Sequence, residues 1–118
     1  MNYLQLGDSE LRVSRFCLGT MTFGEQNDLA SAHLQLNRAI EAGINFIDTA
    51  EMYPVPAKAD TAGSTESIIG EWLQHQQRDR IVLATKVAGP NRGMNWIRNP
   101  IQLTESQIVE ALDQSLKR

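Results

Sequence analysis

Asp48, Tyr53 and Lys86 are the residues of this chain whose types and spacing could do chemistry together. Asp48 and Lys86 each close a short apolar run, Ile44-Asn45-Phe46-Ile47 and Ile81-Val82-Leu83-Ala84-Thr85, and Tyr53 stands five residues beyond Asp48. Neighbouring strands lie about 5 Å apart. If the two runs are such strands, their ends bring carboxylate and ammonium within hydrogen-bond reach, and Tyr53 can fold back over them. The chemistry this suits is proton donation to a carbonyl oxygen. A phenol is ordinarily too weak an acid at neutral pH, and a neighbouring ammonium strengthens it. A lysine so placed needs a counter-charge to stay protonated, because desolvation disfavours the charged form, and Asp48 supplies one. Gly19-Thr20-Met21-Thr22-Phe23-Gly24 adds two glycines where a flat ligand could approach the backbone. The competing reading is plain strand punctuation: Asp48 caps a turn, Gly19 and Gly24 are loop glycines, and no G-x-G-x-x-G fingerprint is present.

The elements that must position these residues alternate. Tyr3–Leu6 and Leu11–Val13 flank Gly7-Asp8-Ser9-Glu10 and read as a hairpin. Phe16-Cys17-Leu18, closed by Gly19, reads as a strand buried on both faces, with Cys17 a small core residue. Asp28 is a plausible N-cap for a helix to about Ala42, with Ala32, Leu36, Ala39 and Ile40 at helical spacing and Gly43 as a stop. A strand to Asp48 follows, then a helix from Ser64 or Thr65 with Ile68, Ile69, Trp72 and Leu73 on one face. Trp72 should pack that helix on the sheet. After the strand to Lys86 comes a third helix, opened by a Thr104/Gln107 capping box and faced by Ile108, Ala111, Leu112 and Leu116. His33 and His75 read as solvated. Trp96 either lines a substrate pocket or tacks down its loop. This rhythm of βα units predicts an α/β fold with a parallel sheet. The stretches Glu51–Gly63 and Val87–Leu103 both follow strands, so they fall on the sheet's C-terminal edge, where ligands bind in such folds.

Composition removes other classes. With 118 residues, 42% hydrophobic and 21% charged, the chain has the profile of one globular domain, not of disorder. Eleven Lys+Arg against fourteen Asp+Glu, with no basic cluster, argue against a nucleic-acid or anionic-membrane surface. A single cysteine can form neither an internal disulfide nor a cysteine zinc site, and no metal is expected. With no signal peptide and no long apolar run, the expected location is the cytoplasm. The third helix is still in period at Arg118, and three strands leave two open sheet edges. The chain is therefore expected to stop short of its natural domain, with self-association through those edges as one outcome.

Leu18-Gly19-Thr20-Met21-Thr22-Phe23-Gly24, Phe46-Ile47-Asp48-Thr49-Ala50-Glu51-Met52-Tyr53 and Ala84-Thr85-Lys86-Val87 resemble, in order and spacing, the N-terminal portion of an aldo-keto reductase. Ala50-Glu51-Met52-Tyr53-Pro54-Val55-Pro56 is similar to the Tas-type bacterial branch, and the likeness covers essentially the whole chain. The resemblance implies a (β/α)8 TIM barrel whose bottom is closed by the hairpin at residues 2–14, with residues 15–118 forming its first three βα units. It implies NADPH-dependent reduction of an aldehyde or ketone: Tyr53 the general acid, Lys86 its activating cation, Asp48 paired with Lys86. Gly19, Thr20, Met21 and Asp48 would lie beside the nicotinamide and its ribose. The family's catalytic histidine, at the end of a fourth strand, and most of the adenosine-phosphate site have no counterpart here. An isolated chain of this length is accordingly expected to lack useful activity. Other relatives, such as potassium-channel β subunits, act mainly as cofactor-binding partners of other proteins, which supplies the alternative reading.

Overall fold

The structure, a computed structural model, describes residues 1–90 and 92–118. Two short strands, β1 (Tyr3–Gln5) and β2 (Arg12–Ser14), form the expected antiparallel hairpin, with Leu4 opposite Val13 and Gly7 at φ +60° in the turn. Three parallel strands follow in the order β3 (Cys17–Gly19), β4 (Phe46–Asp48) and β5 (Val82–Ala84). Helices α1 (Leu29–Glu41), α2 (Ser64–Leu73) and α3 (Glu105–Lys117) come after β3, β4 and β5 respectively. This is an unclosed run of parallel βα units. Among the described residues no helix is long and apolar enough to cross a membrane.

The strands are shorter than the apolar runs suggest, and Asn45 gives one reason. Its side chain accepts from Ser14 N at 2.8 Å and donates to Arg12 O at 2.9 Å. The residue at the foot of β4 is thus spent on stitching the hairpin beneath the sheet. In the next layer Leu18, Ile47 and Leu83 are in register and meet the helices. Ile47 is fully buried among Leu36, Ile69, Trp72 and Phe23. Replacing Ile47 by Val should lower stability by about 0.5–1.5 kcal/mol, read as an earlier urea midpoint at unchanged slope.

The opposite face of the sheet carries Cys17, Phe46 and Val82 in one row and Gly19, Asp48 and Ala84 in the next. No helix covers it. β3 is therefore not buried on both faces: Phe16 is 66% exposed, and Cys17 is exposed and not a core residue. An apolar run reports its composition but not which side of the sheet the helices occupy. This face is the one that looks toward the axis in a (β/α)8 arrangement.

Asp28 caps α1 by accepting from Ser31 N at 2.8 Å, and Gly43, at φ +86°, follows its end, as the sequence indicates. Trp72 is buried as expected, its indole donating to Asn37 Oδ1 at 2.8 Å across the α1–α2 contact. That same contact corrects the reading of His33, which is half-buried with Nε2 3.0 Å from Ile68 O, whereas His75 is exposed. The α3 capping box is half-formed. Thr104 Oγ1 accepts from Gln107 N at 3.4 Å, but the Gln107 amide bonds Gln102 N and Pro100 O instead of returning to Thr104. On the apolar face of α3, Ala111 is buried, while Ile108, Leu112 and Leu116 are 42%, 49% and 76% exposed. Periodicity marks an apolar stripe whether or not this chain packs a partner against it.

Candidate functional site

The C-terminal ends of β4 and β5 carry the site. Their pairing continues past the strands, Thr49 N donating to Ala84 O at 2.8 Å and Glu51 N to Lys86 O at 3.2 Å. This extension lays Lys86 beside the Asp48–Glu51 turn. Lys86 Nζ donates to Asp48 Oδ2 at 2.6 Å and to Thr49 O at 2.7 Å, and lies 4.8 Å from the centre of the Tyr53 ring. The three residues singled out in the sequence are brought together.

Tyr53 is placed by its neighbours. Its N–H donates to Ala50 O at 3.1 Å, its carbonyl accepts from Gly63 N at 3.1 Å, and Val55 N donates to Met21 O at 2.9 Å. The buried Pro54 seats this turn beside Gly24. Gly24 sits at φ +96°, a conformation strained for any residue with a side chain, and a Cβ there would also crowd that of Ser64 at 3.0 Å. It belongs to the packing of the β3 loop on α2, as does the buried Thr65, whose hydroxyl donates to Phe23 O at 2.6 Å. Gly19 differs: it is exposed, pairs with Asp48 in register, and nothing would stand within 4 Å of a Cβ there.

Thr20 is fully buried and its hydroxyl donates to Asp48 O at 2.9 Å, so it fixes the Asp48 backbone and keeps its side chain away from the cleft. Met21 is 47% exposed. With Tyr53, Val55, Lys86, Ala88 and Arg92 it lines a cleft of about 400 Å³. A hollow of about 470 Å³ at the opposite edge, among Tyr3, Asn45, His75 and Arg80, contains none of the three site residues. Trp96 is not part of the cleft. Its loop is tacked down by Met94, Ile101 and Ile97 against Ala88, Met52 and Ala57.

Desolvation alone would lower the Lys86 pKa, but its hydrogen bond to Asp48 and its interaction with Tyr53 outweigh that, and the value is raised above the ordinary lysine range. Cys17, on the same face, is exposed but partly desolvated by its neighbours, and this together with the Asp48 charge raises its thiol pKa against an opposing effect of Lys86. For a raised lysine, the stabilising contribution is fully present below the unfolded-state value near 10.4 and is lost as pH rises through the higher folded value. Following the Cε resonance of unmodified Lys86 by NMR in carbon-13-labelled protein should show it titrating above the ordinary lysine range. A Lys86 midpoint at or below the unfolded-state value would contradict the ion pair with Asp48.

Two buried residues went unrecognised in the sequence. Glu51 and Arg98 form an ion pair beneath the cleft, 47 positions apart, and nothing local marks either as a partner of the other.

The Aldo/keto reductase family model matches residues 15–118. The chain belongs to the aldo/keto reductase family. It is 50% identical over 120 residues to Protein tas of Escherichia coli K12, covering 100% of this chain and 35% of that protein. It is 44% identical over 124 residues to an uncharacterized oxidoreductase, YrpG, of Bacillus subtilis, again over 100% of this chain and 36% of the relative. Among solved structures, the holo form of aldo-keto reductase AKR11C1 from Bacillus halodurans superposes with a TM-score of 0.76 at 31% identity, over 99% of this chain and 36% of that one. The chain thus spans about a third of the length of these aldo/keto reductase relatives. Its sheet is the N-terminal part of their barrel, which accounts for the uncovered face of β3, β4 and β5.

Proposed function

We propose that the whole protein reduces an aldehyde or ketone to an alcohol with NADP(H), and that this chain supplies the proton-donating part of the site. The observation that carries the reading is the Lys86 ammonium, bonded to Asp48 and held over Tyr53 at the sheet's C-terminal edge. The cofactor's flat nicotinamide fits the floor beside it. Gly19 presents bare backbone with open space above, and Asp48, its register partner, has a side chain 38% exposed and able to accept from a ribose hydroxyl. Gly19, Met21 and Asp48 would hold that end of the cofactor, with Thr20 fixing Asp48 from behind. When bound, the reduced nicotinamide supplies hydride to the carbonyl carbon.

Tyr53 gives its proton to the carbonyl oxygen as negative charge develops there, and the phenolate left behind lies near the Lys86 ammonium. Lys86 stays charged because Asp48 and the Thr49 carbonyl receive its N–H groups. Met21, Val55 and Ala88 give the cleft an apolar lining beside the proton donor. The lone cysteine, free and exposed, is compatible with a reducing cytoplasm. The deciding experiment is loss of NADPH absorbance on adding a panel of aliphatic and aromatic aldehydes to the whole protein. Turnover that disappears with Tyr53 supports the reading, and NADPH binding without turnover on any carbonyl defeats it.

A further inference from the structure

Arg98 grips the Glu51 carboxylate with two parallel hydrogen bonds, Nη1 to Oε2 at 3.0 Å and Nη2 to Oε1 at 2.5 Å, and the side chains are 7% and 3% exposed. The pair is tied to the backbone on either side of Val87. Glu51 N donates to Lys86 O at 3.2 Å, and Glu51 Oε1 also accepts from Ala88 N at 2.6 Å. One residue thus clamps the chain on both sides of Val87, and Tyr53 follows two residues after it. Arg98 locks the clamp to the loop that runs from β5 toward α3.

As a stabilising device the pair is poorly chosen. Both charges lose their hydration on burial, and apolar residues of similar volume often hold such a position as well or better. Arg98 Nε, moreover, has no hydrogen-bond partner among the described residues. What apolar packing could not do is aim a carboxylate oxygen at Ala88 N in one fixed orientation, as a bidentate arginine does.

We propose that Glu51 and Arg98 are positioning residues that hold Lys86 against Asp48 and over Tyr53 without touching the reacting atoms. The kinetic consequence rests on the reductase reading, while the geometric one does not. Removing Glu51 alone leaves a buried guanidinium uncompensated and can prevent folding. The informative variants are therefore the double substitution Glu51→Gln with Arg98→Met, which removes both charges and keeps an oxygen for Ala88 N, and Arg98→Lys, which keeps the charge pair but cannot grip the carboxylate at two points.

In the whole protein, each variant should retain NADPH affinity and KM within about twofold while kcat falls by about 10- to 100-fold, the scale of a misplaced catalytic group. The NMR midpoint of unmodified Lys86, read at its labelled Cε, should also move down from its parental value. A merely structural pair would lower the melting temperature and leave that midpoint in place. Parental kcat and a parental Lys86 midpoint in either folded variant would overturn the proposal. If the unsubstituted protein turns over no carbonyl, the reductase reading fails by itself and the Lys86 midpoint alone decides.

Discussion

Tyr53→Phe should slow carbonyl reduction by about 10²- to 10⁴-fold, the contribution of a positioned general acid, and leave NADPH affinity unchanged. The substitution removes one oxygen and keeps the ring beneath Lys86. Backbone bonds from Tyr53 N to Ala50 O and from Gly63 N to Tyr53 O, together with the buried Pro54, hold the turn independently of the hydroxyl. Any loss therefore reports proton delivery and not a displaced loop. Single-turnover rates and NADPH titration of the same samples give the two numbers needed. The substitution also separates the reductase from a cofactor-binding partner of another protein, because only the reductase requires the phenolic proton for its role. A protein that performs its cellular task undiminished with Phe at this position is a binding subunit, whatever residual turnover it shows in vitro.

The site was legible in the sequence to the extent that its parts are local. Asp48 and Lys86 each close an apolar run, and parallel pairing of β4 with β5 is enough to bring their ends together. Tyr53 follows Asp48 at a distance that a single tight turn spans. The same logic found the hairpin and the Asp28 cap, both set by residues within a few positions of one another. Cys17 and His33 depart from their readings for a common reason. Their burial depends on which element lies across from them, and a run of apolar residues or a lone polar one carries no record of that. Glu51 and Arg98 are the extreme case. Each is a charged residue in an irregular stretch, a description that fits a solvated loop, and only the fold places them together under the cleft. Gly24 shows the opposite limit: a glycine read as a possible ligand contact is favoured by its backbone, at φ +96°, where the β3 loop packs on Ser64.

Lys86→Met is the second large expected effect. It should reduce kcat by about 10²- to 10³-fold, the scale seen when one preorganised donor is removed from a site of developing charge. Methionine preserves the length and apolar stem of lysine, and the Asp48 side chain, 38% exposed, can rehydrate, so the fold should tolerate the change. What is lost is the only cation among the described residues that stands over the Tyr53 ring. The phenolate formed as the proton leaves then has no counter-charge, which predicts a steeper dependence of rate on the basicity of the carbonyl oxygen as well as a lower rate. Asp48→Asn tests the same arrangement from the other side. Its amide can still accept from Lys86 but carries no charge, so the Lys86 midpoint should fall and kcat should drop less than with Lys86→Met. Equal losses from the two substitutions would mean that Asp48 does more than hold the lysine. A larger loss from Asp48→Asn, accompanied by weaker NADPH binding, would assign that further role to the cofactor's ribose, on the side of the carboxylate that faces Gly19.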